Sequence, residues 1–119
     1  MSSDPACIFC RIVNGTIPCR KIHEDDEILA FHDINPLAQV HFLIIPKLHV
    51  ESLAQCDDSH RNLLGAILAV AGRLAAAQGA DDGFRTIINT GRIGGQEVYH
   101  LHAHILGGRE RLPRMLSKS

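Results

Sequence analysis

Apolar positions along the chain fall into short runs and alternations, with a single stretch at helical spacing. Val40 to Ile45 is a continuous apolar run with one polar intruder, His41, and it reads as a strand that stops at Pro46. Arg20 to His23 and Ile28 to Phe31 flank Glu24-Asp25-Asp26-Glu27, predicting a hairpin with an acidic, solvated loop. Leu63, Ile67, Val70, Ala71 and Leu74 recur at helical spacing between the N-capping stretch Asp57-Asp58-Ser59 and Gly79. They predict one long helix whose apolar stripe covers the back of a sheet. Phe84 to Ile88 reads as another buried strand. From Val98 to Gly108, His100, His102 and His104 alternate with Leu101, Ala103 and Ile105, so a strand there turns three imidazoles to one face and an apolar surface to the other. At about 100° per residue a helix scatters the same three histidines.

Five strands with one long helix make an α+β domain, and 119 residues suffice for one core. Lys and Arg number 12 against 13 Asp and Glu, so no broad cationic face for duplex DNA or anionic lipid is implied. Aromatics are 4% with no Trp, which disfavours a stacking platform for single-stranded nucleic acid. The expected partner is a small molecule. Met1 to Cys7 lacks a basic and then apolar leader, and no apolar run approaches membrane-spanning length, so the expected location is the cytoplasm.

Three imidazoles in register admit three readings: ligands for a transition metal, nucleophile and acid/base groups, or satisfied polar residues on a half-buried sheet. Thr90 to Glu97, rich in glycine, precedes them and suits backbone N–H groups brought against an anion, which favours phosphate chemistry. Phe31 and Asp33 at the mouth of a strand fit a nucleoside clamp, ring against base and carboxylate on ribose hydroxyls. Asp33 equally reads as a turn cap before Asn35-Pro36. Cys7 and Cys10 have zinc-site or redox spacing, opening a short apolar stretch that ends at Asn14-Gly15, while Cys19 and Cys56 read as packed or surface thiols. His23 and His60 read as surface residues, and His41 and His49 could be surface residues as well.

His100-Leu-His-Ala-His-Ile-Leu106 resembles the His-φ-His-φ-His-φ-φ signature of the histidine-triad (HIT) superfamily, with φ apolar. Ala30-Phe-His-Asp-Ile34, His41-Phe-Leu-Ile-Ile-Pro-Lys47, Asn89 and Gly94-Gly-Gln-Glu-Val-Tyr-His100 are similar to its Hint, or purine nucleoside phosphoramidase, branch. The resemblance runs from about Cys7 to Gly108 of a single domain, leaving Arg109 to Ser119 as a tail. It implies a HIT-like five-stranded antiparallel sheet with one long and one short helix. It also implies hydrolysis of the P–N bond of nucleoside 5′-phosphoramidates through a nucleotidyl-histidine on His102, with His104, His41 and His100 completing the catalytic set. Phe31, His32 and Ile34 are implied for the purine pocket, Asp33 for the ribose, and Asn89, Gly95, Gln96 and Val98 for the phosphate. Glu97 matches the bacterial-type members, where many eukaryotic ones carry serine near the leaving group. Cys7, Cys10, His49 and His100 match the four positions that hold structural zinc in Cys-x-x-Cys members, and a homodimer is implied as well. Alternatives are dinucleoside polyphosphate cleavage, a regulatory nucleotide binder, and a zinc hydrolase using the triad as ligands. The tail, with Arg109, Arg111, Arg114 and Lys118 around Pro113, is expected to tune substrate choice without supplying chemistry.

Overall fold

The computed structural model describes residues 3–116. A short helix α1 (Ile8–Val13) is followed by the hairpin β1 (Lys21–Glu24) and β2 (Ile28–His32), then β3 (Val40–Pro46). The long helix α2 (Arg61–Ala77), β4 (Phe84–Ile87) and β5 (Ala103–Gly107) complete the order. All strand pairs are antiparallel, in the order β1-β2-β3-β5-β4. The expected fold is therefore present: five antiparallel strands, one long helix and one short one.

Alternation along the inner strands sorts their side chains into two apolar layers. Ile28 and Ala30 of β2, Val40, Phe42 and Ile44 of β3, and Ala103 and Ile105 of β5 pack with Leu63, Ile67, Ala71 and Leu74 of α2. On the opposite face Leu29, Phe31, Leu43 and Ile45 meet Phe9 and Ile12 of α1. With both faces covered, β3 needs no alternation, which is why its apolar run is continuous. The single intruder, His41, lies on the α1 face.

Local chemistry sets the element ends. Asp57 accepts from the Ser59 N–H at 2.8 Å, and His60 Nδ1 accepts in return from the Asp57 N–H at 3.0 Å, so a capped 3-10 turn leads into α2. At the other end Gly79 has φ +100°, with Gly79 N–H on Ala76 O and Ala80 N–H on Ala75 O, the paired bonds of a Schellman stop. Asp25 closes the hairpin by accepting from the N–H groups of Glu27 and Ile28, which holds its carboxyl at about 2. Glu24 belongs to β1 rather than to a solvated loop, and bridges Lys21 at 2.7 Å and Lys47 at 2.8 Å.

Two expectations need correction. Phe84–Ile87 is a half-exposed edge strand, not a buried one, because its only sheet neighbour is β5 and Phe84 remains 40% exposed. The histidine strand is regular only from Ala103 onward, so His100 and His102 precede it in irregular backbone. Leu101 and Ala103 still face α2, preserving the expected polarity of the segment. Beyond Gly108 the tail has no regular structure up to Leu116, and the Arg85 guanidinium donates to Pro113 O at 2.7 Å, drawing it along β4. Lys118 lies outside the described residues.

Candidate active site

Directly paired residues of an antiparallel sheet point to the same side, so the register builds the site row by row. Ile87, His104, Leu43 and Phe31 form one row across β4, β5, β3 and β2, and Arg85, Leu106 and His41 form the next. Above these rows opens a pocket of about 460 Å³, walled by Phe9, Asp33, His41, His102, His104 and Glu97, with Asn89, Gly95 and Val98 on the loop side. Leu37, Leu43, Ile87 and Leu106 supply much of the remaining apolar wall.

Hydrogen bonds assign the tautomers. The His102 Nδ1–H donates to the carbonyl of His100 at 2.7 Å, which leaves the Nε2 lone pair unprotonated. His41 Nδ1 accepts from the Leu37 N–H at 3.0 Å, so its proton sits on Nε2, directed at His104 Nδ1 3.0 Å away. His104 must then carry its own proton on Nε2. The pocket thus holds an imidazole with a free lone pair beside one that donates, their ring centroids 5.0 Å apart.

Burial keeps these rings neutral. It pushes His102 below the ordinary imidazole value, against the opposing pull of the His100 carbonyl, Asp33 and Glu97. His104 is held down to about 4, by burial first and then by His102 and His41. His41 is lowered by burial and partly restored by Asp33. A neutral imidazole in the fold that would protonate near 6.5 when unfolded favours folding least in acid, so this contribution is complete above pH 6.5 and is lost as pH falls toward 4. For turnover, the acid limb of kcat/KM should lie below pH 6.5, because burial keeps His102 and His104 neutral further into acid than a free imidazole. A pH–rate profile checks this, and an acid limb centred at 6.5 contradicts it.

Asp33 caps the turn and also reaches the pocket wall. Oδ1 accepts from the Asn35 N–H at 2.8 Å, capping the turn, while Oδ2 lies 3.5 Å from His41 Nε2 at the pocket wall. Phe31, His32 and Ile34 do not line this pocket. Phe31 is buried against Phe9 with centroids 5.7 Å apart, His32 sits on the opposite face by strand alternation, and Ile34 is 91% exposed.

The glycine loop is more self-contained than its composition suggested. The Gly95 N–H donates to Arg92 O and the Gln96 N–H to Gly91 O, so neither is free for an anion. The buried Gln96 amide is spent as well, accepting from the Gly91 N–H and donating to Glu51 O and Val98 O. Gln96 therefore shapes the loop that carries Gly95, Glu97 and Val98 to the pocket. A Cβ on Gly94 would collide with Thr90 O and come within 2.9 Å of Thr90 N. Gly94→Ala should cost about 2 kcal/mol through forced movement of the loop, visible as a lower midpoint in urea.

His100, fully buried, points away from the pocket. Its Nε2–H donates to Pro46 O at 2.7 Å, which frees Nδ1 to face Cys7 Sγ at 3.4 Å, Cys10 Sγ at 3.6 Å and His49 Nδ1 at 3.2 Å. Cys10 Sγ lies 3.3 Å from His49 Nδ1, and all four donor atoms fall within 4.8 Å of one another. Tetrahedral zinc at ordinary bond lengths spaces sulfur and nitrogen by roughly 3.6 Å and two nitrogens by roughly 3.4 Å, so the four residues fit such an ion. The Asp4 N–H on Cys10 Sγ and the Cys10 N–H on Cys7 Sγ are the bonds a thiolate pair needs. Burial first, and then the neighbouring Cys7, push the Cys10 thiol up against the opposing Asp4 N–H, so a thiolate there calls for a cation.

A second group, Asp33, His41 and His104, is also spaced closely enough for a cation. Its chemistry disagrees. A metal on His41 Nε2 would force the proton onto Nδ1, against the Leu37 N–H that now donates there.

An irregular segment leading into β5, two neutral imidazoles at its end and a carboxylate opposite define a histidine-centred pocket on an α+β sheet. The HIT domain family model matches residues 14–111, and the chain belongs to the HIT family. Protein HitA of Neisseria gonorrhoeae is 50% identical over 101 residues, 85% of this chain and 94% of that protein. A histidine triad protein from Clostridium difficile superposes with a TM-score of 0.91 at 46% identity, covering 97% of this chain and 100% of that one. A HIT family hydrolase from Legionella pneumophila Philadelphia 1 gives 0.84 at 48% identity, over 87% and 94% of the two chains.

Proposed function

We propose that this protein hydrolyses purine nucleoside 5′-phosphoramidates through a covalent nucleotidyl-histidine on His102. The observation that carries the reading is the bond from His102 Nδ1–H to the His100 carbonyl, which leaves Nε2 as a nucleophile in a desolvated pocket. Nε2 attacks the α-phosphorus, the P–N bond breaks, and the amine departs with a proton taken from solvent, which the water of the second step gives back. Water then cleaves the P–Nε2 bond to release the nucleoside monophosphate. His104 Nε2–H is the adjacent donor for phosphoryl oxygens, oriented through His41, and Asp33 offers Oδ2 to a ribose hydroxyl. Asn89 and Val98 flank the phosphate position, and Glu97 borders the leaving group.

The Legionella relative's description as a hydrolase agrees with this reading. A zinc hydrolase built on the pocket histidines does not, because His41 is committed to Leu37. Zinc instead belongs with Cys7, Cys10, His49 and His100, where four ligands leave no open position and the ion supplies a structural clamp between α1 and the segment before β5. The four free cysteines suit a reducing compartment such as the cytoplasm, and no helix among the described residues is long and apolar enough to cross a membrane.

The test of substrate class is a panel of adenosine and guanosine phosphoramidates against diadenosine polyphosphates. The phosphoramidates should show kcat/KM at least about a hundredfold higher. Preference for the polyphosphates would move the reading to the alternative hydrolase, and binding without turnover would move it to a regulatory nucleotide binder.

A homodimer completes the proposal. Among the described residues no strand pairs with the outer edge of β4, and a 140 Å³ apolar hollow is lined in part by Leu53, Leu64, Leu68 and Ile88, with Leu68 54% exposed. Sedimentation at micromolar concentration should give the dimer mass, and a monomer there counts against it.

A further inference from the structure

Two residues belong both to the Cys/His cluster and to the surroundings of His102. Phe9 lies inside the Cys7-Ile8-Phe9-Cys10 turn, between two of the cluster's ligands, and its ring is buried among three others. It meets His100 edge-on at 5.9 Å and 73°, His102 at 5.2 Å and 89°, and Phe31 at 5.7 Å. His100 gives its ring to the cluster and its carbonyl to His102 Nδ1–H. The third observation is an absence of ladder support: β5 begins at Ala103, one residue after His102. The nucleophile's ring is therefore placed by its bond to His100 and its contacts with Phe9 and His104, not by strand pairing.

We propose that Phe9 is a positioning residue for His102, and that a thiophilic divalent cation on Cys7, Cys10, His49 and His100 sets the His102 ring through Phe9 and the His100 carbonyl, so that metal occupancy gates turnover. This rests on the reading of His102 as nucleophile. A cation drawing in both cysteines fixes the turn that carries Phe9, and by holding the His100 ring it fixes the backbone whose carbonyl receives the His102 proton. Loss of the cation frees both supports together while leaving Asp33, His41 and His104 in place. The expected effect is on the nucleotidyl-transfer rate and not on nucleotide affinity, because misplacement of a reacting atom by about 1 Å costs up to ~100-fold in rate.

Cadmium is the probe, being diamagnetic and giving a thiolate charge-transfer band that reports ligation by cysteine. Chelator-stripped protein is titrated with it while the His102 Nδ1–H resonance, the single-turnover rate and AMP affinity are followed. One equivalent should restore a slowly exchanging His102 Nδ1–H in step with the charge-transfer band and raise the rate at least about tenfold, with AMP affinity changed less than about threefold. Phe9→Leu, stripped and reloaded with one equivalent of cadmium, should form the same band yet turn over at least about tenfold more slowly than cadmium-loaded wild type, with a faster-exchanging His102 proton. A His102 resonance indifferent to cadmium, failure of the thiolate band to form, or a Phe9→Leu protein that matches wild type in both rate and exchange overturns the proposal. A metal-dependent His102 resonance in loaded protein that transfers no nucleotidyl group upholds the positioning and overturns the hydrolase reading instead.

Discussion

His102→Ala should lower turnover of a purine nucleoside phosphoramidate by at least about a thousandfold, while AMP binds within about threefold of its original affinity. The size of the effect follows from the tautomer assignment. With His102 Nδ1–H tied to the His100 carbonyl and His104 Nδ1 accepting from His41, His102 Nε2 is the unprotonated imidazole nitrogen that those bonds leave for the pocket. His104 cannot substitute without surrendering the bond to His41. Affinity should survive because Asp33, Asn89 and the apolar wall of Leu43, Ile87 and Leu106 remain. Steady-state kinetics beside calorimetric AMP binding separates the two, and near-normal turnover in the variant would remove His102 from the mechanism.

Stripping the metal should destabilise the fold by about 3 kcal/mol, or roughly 10 °C in Tm for a domain of this size, and elemental analysis before stripping should find about one zinc per chain. The clamp joins residues distant in sequence: Cys7 and Cys10 at the start of α1, His49 after β3, and His100 before β5. Without it, α1 rests on the sheet through Phe9, Ile12 and the half-buried Val13, and the helix has six residues, too few to persist alone. Cys10→Ser should reproduce the loss, since Cys10 is buried and faces both His49 and His100. A differential scan unchanged by chelator, or protein purified without chelator that holds no zinc, contradicts this.

Side-chain period carried much of the fold into the sequence. The run at β3, the stripe of α2 and the stop at Gly79 are each local consequences of which face is buried and which φ the chain must adopt, and such patterns survive in one dimension. Edges are not local. Phe84-Arg-Thr-Ile87 has the composition of an inner strand, and only sheet order shows that it has one neighbour. The histidine segment misled in a related way, since perfect alternation from His100 to Ile105 gave no sign that pairing starts at Ala103. In the site, the triad imidazoles, Asp33 and the Cys7/Cys10 pair were legible because polar and metal-ligating side chains interrupt apolar patterns, whereas His49 and His100 joined the two cysteines only through the family resemblance. The apolar wall was not, although Leu43 and Leu106 lie two residues beyond His41 and His104 on the same face, and that spacing was the available signal. Neither the ring contacts of Phe9 nor the internal bonds of the Gln96 amide leave a trace in spacing.

The most direct test of the central claim is mass spectrometry of the protein quenched in acid-avoiding conditions within one turnover of an adenosine 5′-phosphoramidate, with peptide mapping of any added nucleotidyl group. The mechanism predicts one AMP moiety per active chain, carried on the peptide that contains His102 and absent from His102→Ala. An adduct mapped to His104 or His41, or full turnover with no adduct at any quench time, would contradict it.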